Sequence, residues 1–557
     1  MAKRVHTSLL VTLWGCAALL ILSPSAPTQI PASPDPGPQF GGIYRRMLAN
    51  NPTTLDPALA TDVYSGTVIR QLFDGLVQFD AHLNPLPALA EYWEASRDGR
   101  TWTFTLRQGA TFHNGREVTA EDFVYSFSRP LDSQKPGLLT ELLSRLKGAD
   151  DFMQGRASHV EGLKAVDRYT LRLVLAEPLA PSIVLLRLSD ASVVPREEVE
   201  KLGERFGHAP VGTGPFKFVR WEPHQELVLE ANPQYHEGRP FLDAVIYKLG
   251  GKFEEEFAGF LQGHLEEAIV PSDRTDAVAT APQYQTYQLL RKPTLSLLYI
   301  GFNTQVKPFD DRRVRQAFNY AVNRQAIVQA ITKMGSIPAT GALPPGMAGH
   351  DPDFEGYHYD LDKAKRLLAE AGFPAGTGFP TVQLWSVSKA ESAKAEMAAY
   401  QRYLADLGVR VEVHLAPDWP VYRDMLEQGK LSMFRLAWYA DIPDPHNFLW
   451  PLLHSTSPTN RTFYRNPKVD RLLDDASTEL DDALRVEMYR EVERITIADA
   501  PWIAQHYHVL ERIYQPYVKG VEVSLRGDRA IPMKKVWFGK SRTSGTTEAT
   551  FSGHSPP

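Results

Sequence analysis

Between Thr101 and Leu106 the chain alternates, with Trp102, Phe104 and Leu106 on one side and threonines on the other, the period of a half-buried strand. Asn114-Gly115 follows as a tight-turn signal. Thr119 and Asp122, three positions apart, then start a helix in the manner of a capping box. Phe123, Val124 and Phe127 carry it, and it is expected to stop near Pro130. A longer helical period opens after Asp310 or Asp311, where Val314, Ala317, Phe318, Ala321, Val322, Val328 and Ile331 recur at helical spacing up to Gly335. Residues 382–387 read as an apolar strand, 391–407 as a helix ended by Gly408, and 409–415 as a second strand. Strand, crossover helix and strand form a βαβ unit, so the two strands should be parallel with a right-handed connection. Asp418 starts the next helix, Gly429 ends it, and 431–438 makes a further strand of this α/β region.

Ligands of α/β sheets sit beyond the carboxyl ends of the strands. The segment just past 438 is Tyr439-Ala440-Asp441-Ile442-Pro443-Asp444-Pro445, two carboxylates in a proline-stiffened loop beside Trp438 and Tyr439. It is the first site candidate from pattern. Asp441 could equally be an Asx-turn residue that shapes the loop, and Asp444 before Pro445 reads as a turn former. His506, Tyr507 and His508 alternate as in a strand, with both imidazoles on one face. Two histidines fall short of the three or four ligands of a metal site, so a pocket wall is expected rather than a metal.

At 557 residues the chain holds about three to four domain-sized units. Hydrophobic residues at 43% and charged residues at 23% exclude a disordered, collagen-like or multi-span membrane protein. With 60 Lys and Arg against 66 Asp and Glu, there is no basic footprint for nucleic acid. The single cysteine, Cys16, rules out an intramolecular disulfide and a cysteine-based zinc site. Phosphate-loop, HExxH and GxSxG motifs are missing: His236-Glu237 lacks the second histidine, and Gly212-Thr213-Gly214 lacks the third glycine of a dinucleotide fingerprint. No catalytic residue and no cofactor is expected.

Lys3 and Arg4 precede an uncharged run over 9–22 and then Ser23-Pro24-Ser25-Ala26. That order is a signal peptide over 1–26, the run being short for a membrane span. A proline-rich linker over 27–39 follows, and 541–557, rich in Ser, Thr, Gly and Pro, is expected to be a disordered tail. Leu13-Trp14-Gly15-Cys16 is similar to a lipoprotein cleavage box, with Trp14 a poor fit, so simple cleavage ranks above acylation of Cys16.

Eight segments occur in an order that resembles one family. They are NNPTTLDP (50–57), FDGL (73–76), 102–127, GTGPF (212–216), FNT (302–304), FDDRRVRQAFNYAVN (309–323), 364–373 and 438–449. Over 40–540 the chain resembles the large peptide-binding class of extracellular solute-binding proteins of bacterial ABC importers, the oligopeptide-, dipeptide- and nickel-binding group. The resemblance implies an α/β, two-lobe periplasmic-binding-protein-like fold with a hinge and an extra α+β domain. Lobe I would comprise 40–64, 195–292 and 506–540, the extra domain 65–194, and lobe II 293–505. It also implies a non-catalytic, extracytoplasmic receptor that captures peptides and passes them to membrane permease subunits driven by a separate ATPase. A monomer without nucleic-acid partners is expected.

On the family pattern Asp441 receives the ligand's α-ammonium, Arg435 meets the carboxylate of a short ligand, and Trp419 lines a side-chain pocket. Trp438, Tyr439, His506, Tyr507 and His508 complete the wall near the hinge. Ala437 stands where peptide binders often have glycine. A solvated strand arginine and a core tryptophan are the competing readings of Arg435 and Trp419. A nickel-chelate or oligosaccharide binder, or an exported hydrolase, are the alternative functions. N-terminal sequencing of mature protein should find residues 9–22 removed; an acylated Cys16 would mark lipoprotein processing, and an intact Met1 would overturn export.

Overall fold

A computed structural model describes residues 37–60, 62–132, 140–271, 273–332, 335–440, 442–525, 527 and 531–539. The chain divides into 1–37 and 38–557, and the structure below is that of the second unit. The signal-peptide and tail expectations, with Cys16, lie outside the described residues.

Three sheets organise the fold. In the first, Ile43–Leu48 pairs in parallel with Ala244–Leu249, which continues antiparallel through Glu226–Ala231 to Phe216–Glu222. The second is antiparallel, in the order Ala90–Ala95, Thr101–Leu106, Thr170–Val174, Leu163–Asp167. Trp102, Phe104 and Leu106 face its core as the alternation requires, against Phe123 and Phe127 of the helix Ala120–Asp132. That helix runs through Pro130 instead of stopping there. Proline so close to a helix end forfeits one backbone bond, a loss the final turn tolerates.

The third and largest sheet has the order Glu267–Ile269, Trp502–Tyr514, Ser296–Phe302, Met433–Tyr439, Val382–Ser386, Val411–Leu415. The βαβ unit is present, its strands 382–386 and 411–415 parallel and the helix Glu391–Asp406 between them. Gly408 and Gly429, with φ of +85° and +65°, end the two helices as expected. The long helix expected over 311–335 is two. Arg312–Ala321, capped by Asp311, ends at an extended Val322, and the Asn323 side chain accepts from the Ala326 N–H to begin Arg324–Ile327. A local side-chain cap there outcompetes the apolar spacing.

The thirteen-residue strand Trp502–Tyr514 is common property. Residues 502–506 pair with Ser296–Phe302, while 509–514 pair with Gln288–Pro293 and 512–514 also with Glu267–Ile269. The boundary expected between 505 and 506 therefore falls inside one unbroken strand.

Three of the family-like segments meet. The Asp74 N–H donates to Thr213 Oγ1 at 2.9 Å, the Gly214 N–H to Leu72 O at 2.8 Å, and the Gly212 N–H to His113 Nδ1 at 3.1 Å. A Cβ on Gly214 would lie 2.5 Å from the Leu72 carbonyl carbon, so only glycine lets this loop close on the end of the helix Val63–Leu72. With Nδ1 accepting, His113 Nε2–H donates to Gly214 O at 3.1 Å, and burial pushes the imidazole pKa down to about 4.

An arginine ties the second sheet's region to the third. Arg485 donates from Nε to Ala476 O (2.9 Å), from Nη1 to Asp444 Oδ2 (2.7 Å) and Ser182 Oγ (3.1 Å), and from Nη2 to Asp444 Oδ1 (2.6 Å) and Tyr489 Oη (2.9 Å). All five guanidinium N–H groups are used. Ser182 belongs to the helix Pro181–Leu188, and the Ala180 N–H donates to Ser477 O beside it. Arg485→Met leaves the Asp444 carboxylate buried without its cation, and should cost about 3–5 kcal/mol in urea unfolding. Adding Asp444→Asn should recover part of that loss, since the two changes act on one interaction.

Candidate ligand-binding cleft

A cavity of about 400 Å³ opens between the first and third sheets, beside the long strand Trp502–Tyr514 of the third. One wall comes from the end of Ile43–Leu48 and from Val63, Tyr64 and Thr67 of the first long helix. The facing wall is Thr294, Leu295, Tyr439 and Ala440, and His508, Leu510 and Arg512 of the shared strand lie between. Most of these side chains are apolar or aromatic. A smaller cavity of about 170 Å³ lies by the end of the helix Val63–Leu72, and charges at its edge are engaged with one another: Arg70 with Asp190 at 3.0 Å and Lys534 with Glu237 at 2.6 Å.

Alternation places the charged floor of the larger cleft. In Ile43–Leu48 the buried positions are Tyr44, Arg46 and Leu48, so an arginine occupies the inward face of an apolar strand. Arg46 Nη2 lies 2.8 Å from Glu267 Oε1, and Arg512 Nη1 lies 2.9 Å from the same oxygen and 3.4 Å from Glu256 Oε1. Tyr44 Oη donates to Glu267 Oε2 at 2.8 Å. Arg46, Glu256 and Arg512 line the cavity. Burial pushes the Glu256 carboxyl up to about 7, with Arg512 pulling the other way.

The sequence-derived candidates separate into groups. Tyr439, 60% exposed at the end of Met433–Tyr439, and His508 line the cleft. Asp441 lies outside the described residues; its neighbour Ala440 is fixed on the wall by an N–H bond to Leu295 O at 2.9 Å. Trp438 instead donates from Nε1 to Asn447 O at 2.8 Å and packs on the core. Arg435 directs Nε and Nη2 to Glu396 Oε2, both at 2.8 Å. His506, buried beside them, stands 3.5 Å from the other Glu396 oxygen, and burial followed by the Arg435 charge presses its pKa to about 3. Tyr507, on the opposite face, donates to Gly341 O at 2.9 Å within the core. Trp419 is 48% exposed in the first turn of Trp419–Glu427, its ring 6.1 Å from that of Tyr422. Arg46, Glu256, Glu267 and Arg512 were not among the expected residues. The only signal for them was an arginine on the apolar face of an alternating strand at 46 and again at 512.

The family model for bacterial extracellular solute-binding proteins, family 5, matches residues 84–460. The chain is 30% identical over 486 residues to the oligopeptide-binding protein OppA of Bacillus subtilis, covering 85% of this chain and 89% of that protein. It is 31% identical over 497 residues to heme-binding protein A of Haemophilus influenzae, covering 85% and 88%. Among solved structures it is similar to the ABC transporter-associated periplasmic binding protein DppA from Helicobacter pylori in complex with the peptide STSA. That likeness has a TM-score of 0.72 at 27% identity and covers 90% of this chain and 99% of that one.

Because Glu256 holds its proton to higher pH folded than unfolded, the folded state binds more protons between about pH 4.5 and 7, and stability should fall as pH rises through that window. Glu256→Gln should flatten this part of the profile by on the order of 2–3 kcal/mol, read by urea unfolding at pH 5 and 7.5.

Proposed function

The chain belongs to the bacterial extracellular solute-binding proteins of family 5, and from that premise we propose that it is the extracytoplasmic receptor of an ABC importer, binding peptides in the cleft between its lobes. The observation that carries this reading is the cleft itself. It sits at the carboxyl end of the strand Met433–Tyr439, between the end of Ile43–Leu48 from the first sheet and the third sheet with its long strand Trp502–Tyr514, the position at which an α/β fold takes its ligand. The names of the Bacillus and Helicobacter relatives give peptide as the ligand class.

In this reading the two sheets close on the ligand about the shared strand, and the closed form is what the permease subunits recognise. Asp441, next to wall residue Ala440, receives the α-ammonium, and the apolar walls accept varied side chains. A contact between Arg435 and the carboxylate of a short ligand requires the guanidinium to trade Glu396 for that carboxylate. Among the described residues no helix is long and apolar enough to cross a membrane.

Mass spectrometry of material released from the purified, unfolded protein should find intact peptides. Heme, cleaved fragments or a metal chelate in their place would overturn the reading. Asp441→Asn should cost about 2–4 kcal/mol in peptide affinity by calorimetry. N-acetylation of the peptide should cost a similar amount, and the two losses should not add. An acetylated peptide that binds as tightly as the free one would exclude amine capture at Asp441.

A further inference from the structure

Two arginines and two glutamates form the floor of the cleft, and their arrangement is unequal. Glu267 is saturated, with one oxygen between Arg46 and Arg512 and the other taken by Tyr44. Glu256, from the helix Phe253–Leu261, holds a longer ion contact, 3.4 Å to Arg512, and accepts from the Ile269 backbone N–H. It is the carboxylate of the pair that borders the cavity. The Arg46 side chain is 97% buried, since only 3% of it is exposed, and its Nε has no hydrogen-bond partner. Buried cationic donors thus line a ligand cavity, one of them balanced by a weakly held anion that can be neutralised by a proton.

Resting on the receptor reading above, we propose that Arg46 and Arg512 are a carboxylate-binding subsite for the ligand, and that Glu256 gates it by taking up a proton and releasing Arg512 as the ligand carboxylate arrives. The charge balance is simple. With Glu256 ionised the quartet is neutral and a further anion is opposed; with Glu256 protonated it carries one net positive charge facing the cleft. The groups facing Glu256 are Arg512 of the shared strand, Glu267 of Glu267–Ile269 and Arg46 of Ile43–Leu48. The burial that lifts the Glu256 pKa to about 7 puts this exchange in the neutral range. The carboxylate is either the peptide C terminus or an acidic side chain, chemically equivalent at a guanidinium pair.

The experiment offers the intact protein, stripped of ligand by unfolding and refolding, three random tetrapeptide pools, with retained peptides quantified by mass spectrometry at pH 6 and pH 8. One pool has free C termini and lacks Asp and Glu, one is amidated and carries a single Glu, and one is amidated without acidic residues. The amine is common to all three, so its titration cancels in the ratios. One of the carboxylate pools should be retained over the acid-free amidated pool, the free-acid pool assigning the C terminus and the Glu pool the side chain. That preference should shrink by about tenfold per pH unit above 7, as expected for uptake of one proton. Glu256→Gln, confirmed folded by its melting curve, should raise the preference at pH 8 by about tenfold and remove its pH dependence relative to the parent. Equal retention of all three pools, or an unchanged pH dependence in Glu256→Gln, overturns the subsite while leaving the receptor standing. Retention of no pool overturns the receptor reading, and the subsite with it.

Discussion

Asp444 and Arg485 are buried to 3% and 4% exposure, and their pairing sets the position of the loop on which the cleft wall depends. Removing two charges from water costs several kcal/mol each, a cost offset only when geometry is good and the remaining donors are satisfied. Arg485 meets that condition with five bonds to four residues outside its own position, one of them Ser182 from the other side of the domain contact. Ala440 is fixed by its backbone bond to Leu295, and Asp444 by Arg485.

The other buried charges follow the same logic with different outcomes. Arg435, Glu396 and His506 are sheltered together, and burial keeps the imidazole neutral, so this cluster works as a strut between the helix Glu391–Asp406 and the sheet. Asp56 and Arg129 pair at 2.6 Å and tie the NNPTTLDP segment to the helix Ala120–Asp132. The quartet at the cleft floor, by contrast, borders the cavity of about 400 Å³. Position relative to that cavity, more than ion-pair geometry, distinguishes the quartet from the struts.

Much of the architecture was legible because it is written locally. The alternation of Trp102, Phe104 and Leu106 and the strand–helix–strand order of 382–415 depend on neighbours along the chain, and both elements are present. The helix after Asp311 was misread where Val328 and Ile331 keep the helical spacing although Asn323 has already restarted the chain. The candidate site was legible at two positions on neighbouring parts of the largest sheet. Tyr439 and His508 reach the cleft, while Trp438, His506 and Tyr507 share their strands' register but turn to core partners that no spacing reveals. Arg46, Glu256, Glu267 and Arg512 come together only through sheet pairing and helix packing, so nothing short of the fold assembles them.

The strand Trp502–Tyr514 joins the parts of the largest sheet yet comes after every other strand of that sheet in the chain. During translation, the ribosome therefore releases Ser296–Phe302, Gln288–Pro293 and Glu267–Ile269 long before their common neighbour exists. Until it emerges, the nascent sheet has a slot one strand wide, edged by unpaired N–H and C=O groups that any passing extended segment can fill. Closing so long a loop is slow compared with local folding, and premature collapse in that interval is a route to aggregation. A chain of this design gains from being held unfolded until residues 502–514 have been made, so the order of synthesis is as much a part of its folding problem as the sheet itself.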